Sequence, residues 1–146
     1  MIKESYDYIA FENKTYFYFE STGNQGIIRK VIVFTHREKN LWNLAFGDLG
    51  KGEIDDSIVS NNHDIVKIIS TIAKVVYEFS DKFPSREIFI HPVDEKRKKL
   101  YNHVFRRNYE AINLKFHIIG TVNNKEEDYS TEKFYDIFKL KRKFVQ

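Results

Sequence analysis

Three runs of aromatic and β-branched residues follow one another near the start of the chain: residues 15–19 (TYFYF), 26–35 (GIIRKVIVFT) and 41–46 (LWNLAF). Such side chains suit a pleated, half-buried surface. The polar stretches between them, 21–24 (STGN) and 37–40 (REKN), carry turn-forming residues, so the runs predict three consecutive antiparallel strands. Residues 6–11 predict a further strand at the edge. In TYFYF, Tyr16 and Tyr18 fall on one face and Phe17 and Phe19 on the other. Apolar residues on both faces imply either burial within one chain or a face or edge that meets a second copy, so a homodimer stays open.

The period then changes. Ile65, Ile68, Ile69, Ile72, Val76 and Phe79 recur at helical spacing, with Lys67, Lys74, Glu78 and Lys82 mostly opposite, which predicts an amphipathic helix over 64–82 covering the sheet. Ser60, Asn61 and Asn62 are good N-cap residues for its start, and Pro84 marks its end. Residues 87–91 (EIFIH) read as a short strand. Asp94 is the expected N-cap of a second helix running to about residue 107, with Leu100, Tyr101, Val104 and Phe105 on its buried side. Residues 115–122 and 133–141 read as two last strands joined by a charged loop over 123–130. The expected order is β-β-β-α-β-α-β-β: an α+β fold with a mixed, mainly antiparallel sheet and two helices.

At 146 residues, with two prolines and no Pro/Ser/Gly linker, the chain reads as one domain over 1–146. An apolar fraction of 42%, with 16% aromatic and 31% charged residues, excludes a disordered chain. The absence of cysteine excludes disulfides, thiolate nucleophiles and Cys-ligated metals. No run approaches the roughly 20 apolar residues of a membrane-spanning helix, and MIKESYDY has no hydrophobic signal core, so a cytoplasmic location without membrane association is expected. The net charge of +3 is uneven: residues 1–93 carry 11 basic and 13 acidic groups, whereas residues 94–146 carry 13 and 8. An anionic partner would prefer the C-terminal third.

The stretches 43–48 (NLAFGD), 54–56 (IDD) and 60–62 (SNN), with Arg97, Leu100 and Tyr101, resemble a family of short bacterial proteins of unassigned function. The element order is similar to the later part of the GCN5-related N-acetyltransferase fold, truncated by its first strand and two opening helices. That second resemblance implies acetyl-CoA as cofactor, Tyr101 as the acid for the departing thiolate, and Asp48 as a base acting through water. The sequence departs from the superfamily pattern at the phosphate-binding turn. Where the superfamily has glycines at a helix N-terminus, this chain has Ser60-Asn61-Asn62-His63-Asp64, whose carboxylate opposes an anion. In the later helix Asp94 replaces an Asn, and Arg97 replaces a small residue.

Each candidate has a plainer reading. Tyr101 lies beside Leu100 and one turn from Phe105, where a core tyrosine is expected. Arg97 shares their stripe, and a buried guanidinium needs an acceptor, so it reads either as a structural ion pair with Asp48, Asp55 or Asp56, or as a ligand-facing cation. Lys96, Lys99, His103, Arg106 and Arg107 fall on one side of the same helix. With Lys139, Lys141, Arg142 and Lys143 they read as a solvated face or as a track for phosphates. The acids Asp48, Glu53, Asp55 and Asp56 match no calcium-loop spacing, and the five histidines lack zinc-site spacing, so no metal is implied. No nucleophile elbow, phosphate loop or dinucleotide motif occurs.

The expectation is therefore a non-enzymatic accessory or interaction protein, without cofactor, in which Arg97, Asp48, Asp55, Asp56, Asn61 and Asn62 form a polar site. A protein partner is favoured over nucleic acid. The alternatives are a divergent acyl-CoA-dependent N-acetyltransferase and a nucleic-acid-associated protein using the basic helix.

Overall fold

Alternation sets the first strands. In β2 (Tyr16–Gly23) Phe17, Phe19 and Ser21 are buried, and in β3 (Gly26–Glu38) Lys30, Ile32 and Phe34 are buried, while the residues between them face outward. The computed structural model describes residues 4–49 and 64–143. The remaining elements are β1 (Tyr8–Phe11), β4 (Leu41–Asp48), α1 (Ile65–Lys82), β5 (Glu87–Ile90), α2 (Glu95–Arg107), α3 (Tyr109–Lys115), β6 (Phe116–Val122), β7 (Lys125–Asp128) and β8 (Ile137–Arg142). The strands line up as β1-β2-β3-β4-β5-β8-β6-β7, with β4 and β5 parallel and the outer pairs antiparallel. The class is α+β with a mixed, mostly antiparallel sheet. No helix among the described residues is long and apolar enough to cross a membrane.

Three differences from the expected order have local causes. The charged segment expected as a loop contains β7, because Asn123 and Asn124 adopt φ of 53° and 64° and close a tight hairpin with β6. Asn108 ends α2 and begins a third, two-turn helix, α3. Finally, β8 starts at Ile137 instead of residue 133. The buried Asn102 amide accepts from the Tyr135 N–H at 2.8 Å and donates to the Tyr135 carbonyl at 2.9 Å, taking that residue's backbone out of the ladder.

The chain divides into two compact units, Met1–Thr35 with Ala45–Phe83, and His36–Leu44 with Pro84–Gln146. In the first, α1 buries Ile68, Thr71, Val75, Val76 and Phe79. Phe79 stacks on Phe34 at 3.8 Å, and Phe34 meets Phe17 edge-on at 6.0 Å. Such aromatic pairs add about 0.5–1.5 kcal/mol each beyond area burial. α1 begins at Ile65, and Asp64 makes no side-chain cap. Its Oδ2 is already taken: the Tyr6 hydroxyl donates at 2.5 Å and the Ser21 hydroxyl at 2.6 Å, tying the helix start to the sheet. The expected caps Asn61 and Asn62 lie outside the described residues.

In the second unit Phe105 of α2 stacks on Phe138 of β8 at 4.3 Å, beside Tyr129 and the fully buried Tyr135. Gly120 of β6 lies under the Tyr135 ring, so closely that a Cβ there would sit 2.4 Å from it. The opposite face of these strands is laced with charge: Lys139 meets Glu126 at 3.0 Å and Glu87 at 3.9 Å, and His117 meets Asp128 at 3.0 Å. α2 buries Arg97, Asn102 and Phe105, whereas Leu100, Tyr101 and Val104 are only half-buried.

Candidate functional site

Among the described residues two cations, Lys30 and Arg97, are fully buried, and each is placed by a different piece of local logic. Lys30 shares its parity with Ile32 and Phe34, so the pleat that buries those residues buries the lysine too, leaving it 1% exposed. Its ammonium donates to Asp48 Oδ1, whose side chain is also buried, and lies 5.8 Å from the Phe46 ring centre. Lys30 was not among the expected site residues, although its parity was the signal that could have found it. Tyr6 and Ser21 were not either, and their hydroxyls meet Asp64, expected only as a carboxylate unfavourable to an anion, at the start of α1.

Arg97 is the third residue of α2 and is 1% exposed. Asp94, the N-cap as expected, does two things at once: Oδ1 accepts the Arg97 backbone N–H and Oδ2 accepts Nη1–H, both at 2.8 Å. The remaining two guanidinium nitrogens, Nε and Nη2, are buried and meet no hydrogen-bond partner among the described residues. Tyr101 sits one turn further along. Burial pushes its hydroxyl above the ordinary phenol value, the Arg97 charge draws it back, and Asp94 opposes that. The phenol therefore stays protonated at neutral pH.

Asp48 is engaged by Lys30, in the first unit, and Arg97 by Asp94, in the second. Asp55, Asp56, Asn61 and Asn62 lie outside the described residues. Of the basic stripe, Lys96, Lys99, His103, Arg106 and Arg107 are all exposed, and Arg106 donates to the Thr131 carbonyl at 3.2 Å. The C-terminal cations are partly spoken for: Lys143 donates to the Asn113 carbonyl at 2.5 Å, and Arg142 lies 5.9 Å from the Phe116 ring centre.

Residues 2–143 match the model of a family described as a family of unknown function (DUF6934). The chain belongs to that family. The expected kinship with proteins of unassigned function thus holds over nearly the whole length. Nothing among the curated proteins or the solved structures matches the chain.

Proposed function

We propose that this protein is a non-enzymatic accessory or interaction module of the bacterial cytoplasm, built on an acetyltransferase-like scaffold that no longer supports acyl transfer. The element order and the parallel β4–β5 pair, joined through α1, support the scaffold reading. The observation that carries the loss of chemistry is the Lys30–Asp48 pair. Asp48, the candidate base, is a buried carboxylate already bound to a buried ammonium. A base in that position must break a desolvated ion pair before it takes a proton. The candidate acid fares no better, since burial holds the Tyr101 phenol above its ordinary value.

A module that works by contact needs a surface, and the outward face of β1–β3 supplies one. It carries Tyr16, Tyr18, Val31 and Val33, with Ile9 and Phe11 55% and 48% exposed. Glu20 and Arg29 are register partners on this face, as are Tyr18 and Val31. A two-fold axis along the strands between β2 and β3 therefore sets Glu20 of one copy over Arg29 of the other, and Tyr18 over Val31. The occupant this complementarity favours is a second copy of the chain.

Two measurements test the reading. Acetyl-CoA mixed with an amine should give no transfer above the uncatalysed rate, and acetyl transfer that disappears in Tyr101→Phe would overturn the non-enzymatic assignment. In sedimentation analysis Arg29→Glu should weaken the dimer, and adding Glu20→Arg should restore it. A monomer at all concentrations removes the dimer.

A further inference from the structure

The hydrogen-bonding of Arg97 leaves one side of the guanidinium unfilled. Nη1 is satisfied end-on by Asp94, while the two nitrogens without partners, Nε and Nη2, lie on the same edge of the guanidinium plane. Their N–H groups run parallel at the spacing of two oxygens of a carboxylate or phosphate, the side-on fork in which arginine binds such groups most specifically. Leaving that fork empty inside a protein is costly, because each orphaned donor has given up its water without a replacement, and more so when the group is charged. Asp94 compensates only in part, since its side chain is 43% exposed and reaches a single nitrogen.

We infer that Arg97 is the anchor of an oxyanion-binding site, which takes the carboxylate or phosphate of a small ligand on Nε and Nη2. Two further features favour an anion there against the carboxylates of Asp94 and Glu95, which stand at the same end of the helix. Lys99 is exposed on the same helix, and residues 94–146 carry 13 basic against 8 acidic groups, which attracts anions to this part of the chain. Tyr101, with its proton retained, adds a hydroxyl beside the guanidinium. Neither nitrogen has accessible surface, so a ligand reaches them only where the packing around this turn gives way. Binding at Arg97 does not depend on the Lys30–Asp48 pair: acetyl transfer would overturn the non-enzymatic reading and leave this inference standing, and the reverse holds as well.

The test is thermal unfolding of the full chain in sodium phosphate, sodium sulfate or sodium acetate, each against sodium chloride at matched ionic strength. A native-state ligand at 100 times its dissociation constant should raise the melting temperature by several degrees, on the order of 5 °C. A larger rise with acetate marks a carboxylate site, and a larger rise with phosphate or sulfate marks a phosphate site. Arg97→Lys, which keeps the charge and removes the fork, should abolish the rise, as should Arg97→Met. If Arg97→Met fails to fold, the Arg97 Nε–H resonance of the wild-type protein, assigned by its loss in Arg97→Lys, should shift on adding the same anion. A rise no larger than that in chloride, an equal rise in Arg97→Lys, or an Nε–H resonance that does not respond would overturn the site.

Discussion

The two buried cations invite comparison because burial is equal and compensation is not. Lys30 and Arg97 are each 1% exposed, yet the lysine faces a carboxylate buried with it, while among the described residues the arginine pairs through Nη1 with a carboxylate that is 43% exposed and leaves Nε and Nη2 without hydrogen-bond partners. A charge taken out of water costs several kcal/mol, which a partner taken out with it offsets. The Lys30–Asp48 pair sets charge against charge inside the core and reads as structure. Arg97 retains bonding capacity that its own neighbours do not use, and that surplus separates a recognition residue from a structural one.

Removing one partner of the buried Lys30–Asp48 pair should have the largest effect. Asp48→Ala leaves an ammonium buried without its carboxylate, and should lower the unfolding free energy by about 3–5 kcal/mol in urea titration. A loss under 1 kcal/mol would mean that the lysine escapes to water, and the contrast with Arg97 would then fail. Next comes a substitution that probes what holds the second unit together. Gly120→Ala pushes a Cβ to 2.4 Å from the fully buried Tyr135 ring, whose backbone Asn102 holds in place. Overpacking of this kind should cost about 1–3 kcal/mol. A neutral result would show that the ring yields, and that packing there is looser than the Asn102 clamp implies.

Arg97→Met should behave in the opposite way. Replacing a buried, half-satisfied ion by an apolar side chain of similar length is often neutral or stabilising, so the melting temperature without added oxyanion should be unchanged or higher. A loss as large as that of Asp48→Ala would place Arg97 in the same structural category as Lys30. The two mutants therefore decide together whether the difference in hydrogen bonding is a difference in role.

How far these features were readable in the sequence depended on whether the signal was local. The aromatic alternation of β2 and β3, the periodicity of α1 and the Asp94 cap each depend on residues a few positions apart, and the structure has them where they were expected. Arg97 was also placed correctly on the buried stripe of α2. The carboxylate it takes among the described residues, Asp94, lies three residues before it and was expected only as the N-cap. Strand β7 was hidden by its composition: KEED has poor strand propensity, and the evidence for it is the Asn123-Asn124 turn beside it. Asn102 acts on the backbone of Tyr135, 33 residues away, a pairing no periodicity reports. Lys30 was legible in principle, since the register that buries Ile32 and Phe34 leaves it no other direction.

The smallest expected effect belongs to an ion pair that is neither buried nor orphaned, and it completes the comparison from the solvated side. Glu78 of α1 accepts from Lys14 Nζ and from the Tyr8 hydroxyl, each at 2.6 Å, with its side chain 29% exposed. The Lys14 hydrogen bond, followed by that of Tyr8, lowers the Glu78 carboxyl below its ordinary value. A folded-state value below the unfolded one means that the stabilisation is present above the unfolded pKa, near 4.3, and is lost as pH falls through the folded value. The gap in melting temperature between wild type and Glu78→Gln should therefore be widest near neutral pH and close in acid. Because water screens exposed pairs to roughly 0–1 kcal/mol, the gap should not exceed a few degrees. A gap that stays constant from neutral pH into strong acid would show that this contact acts through packing and not charge, and exposure alone would then no longer separate it from Lys30.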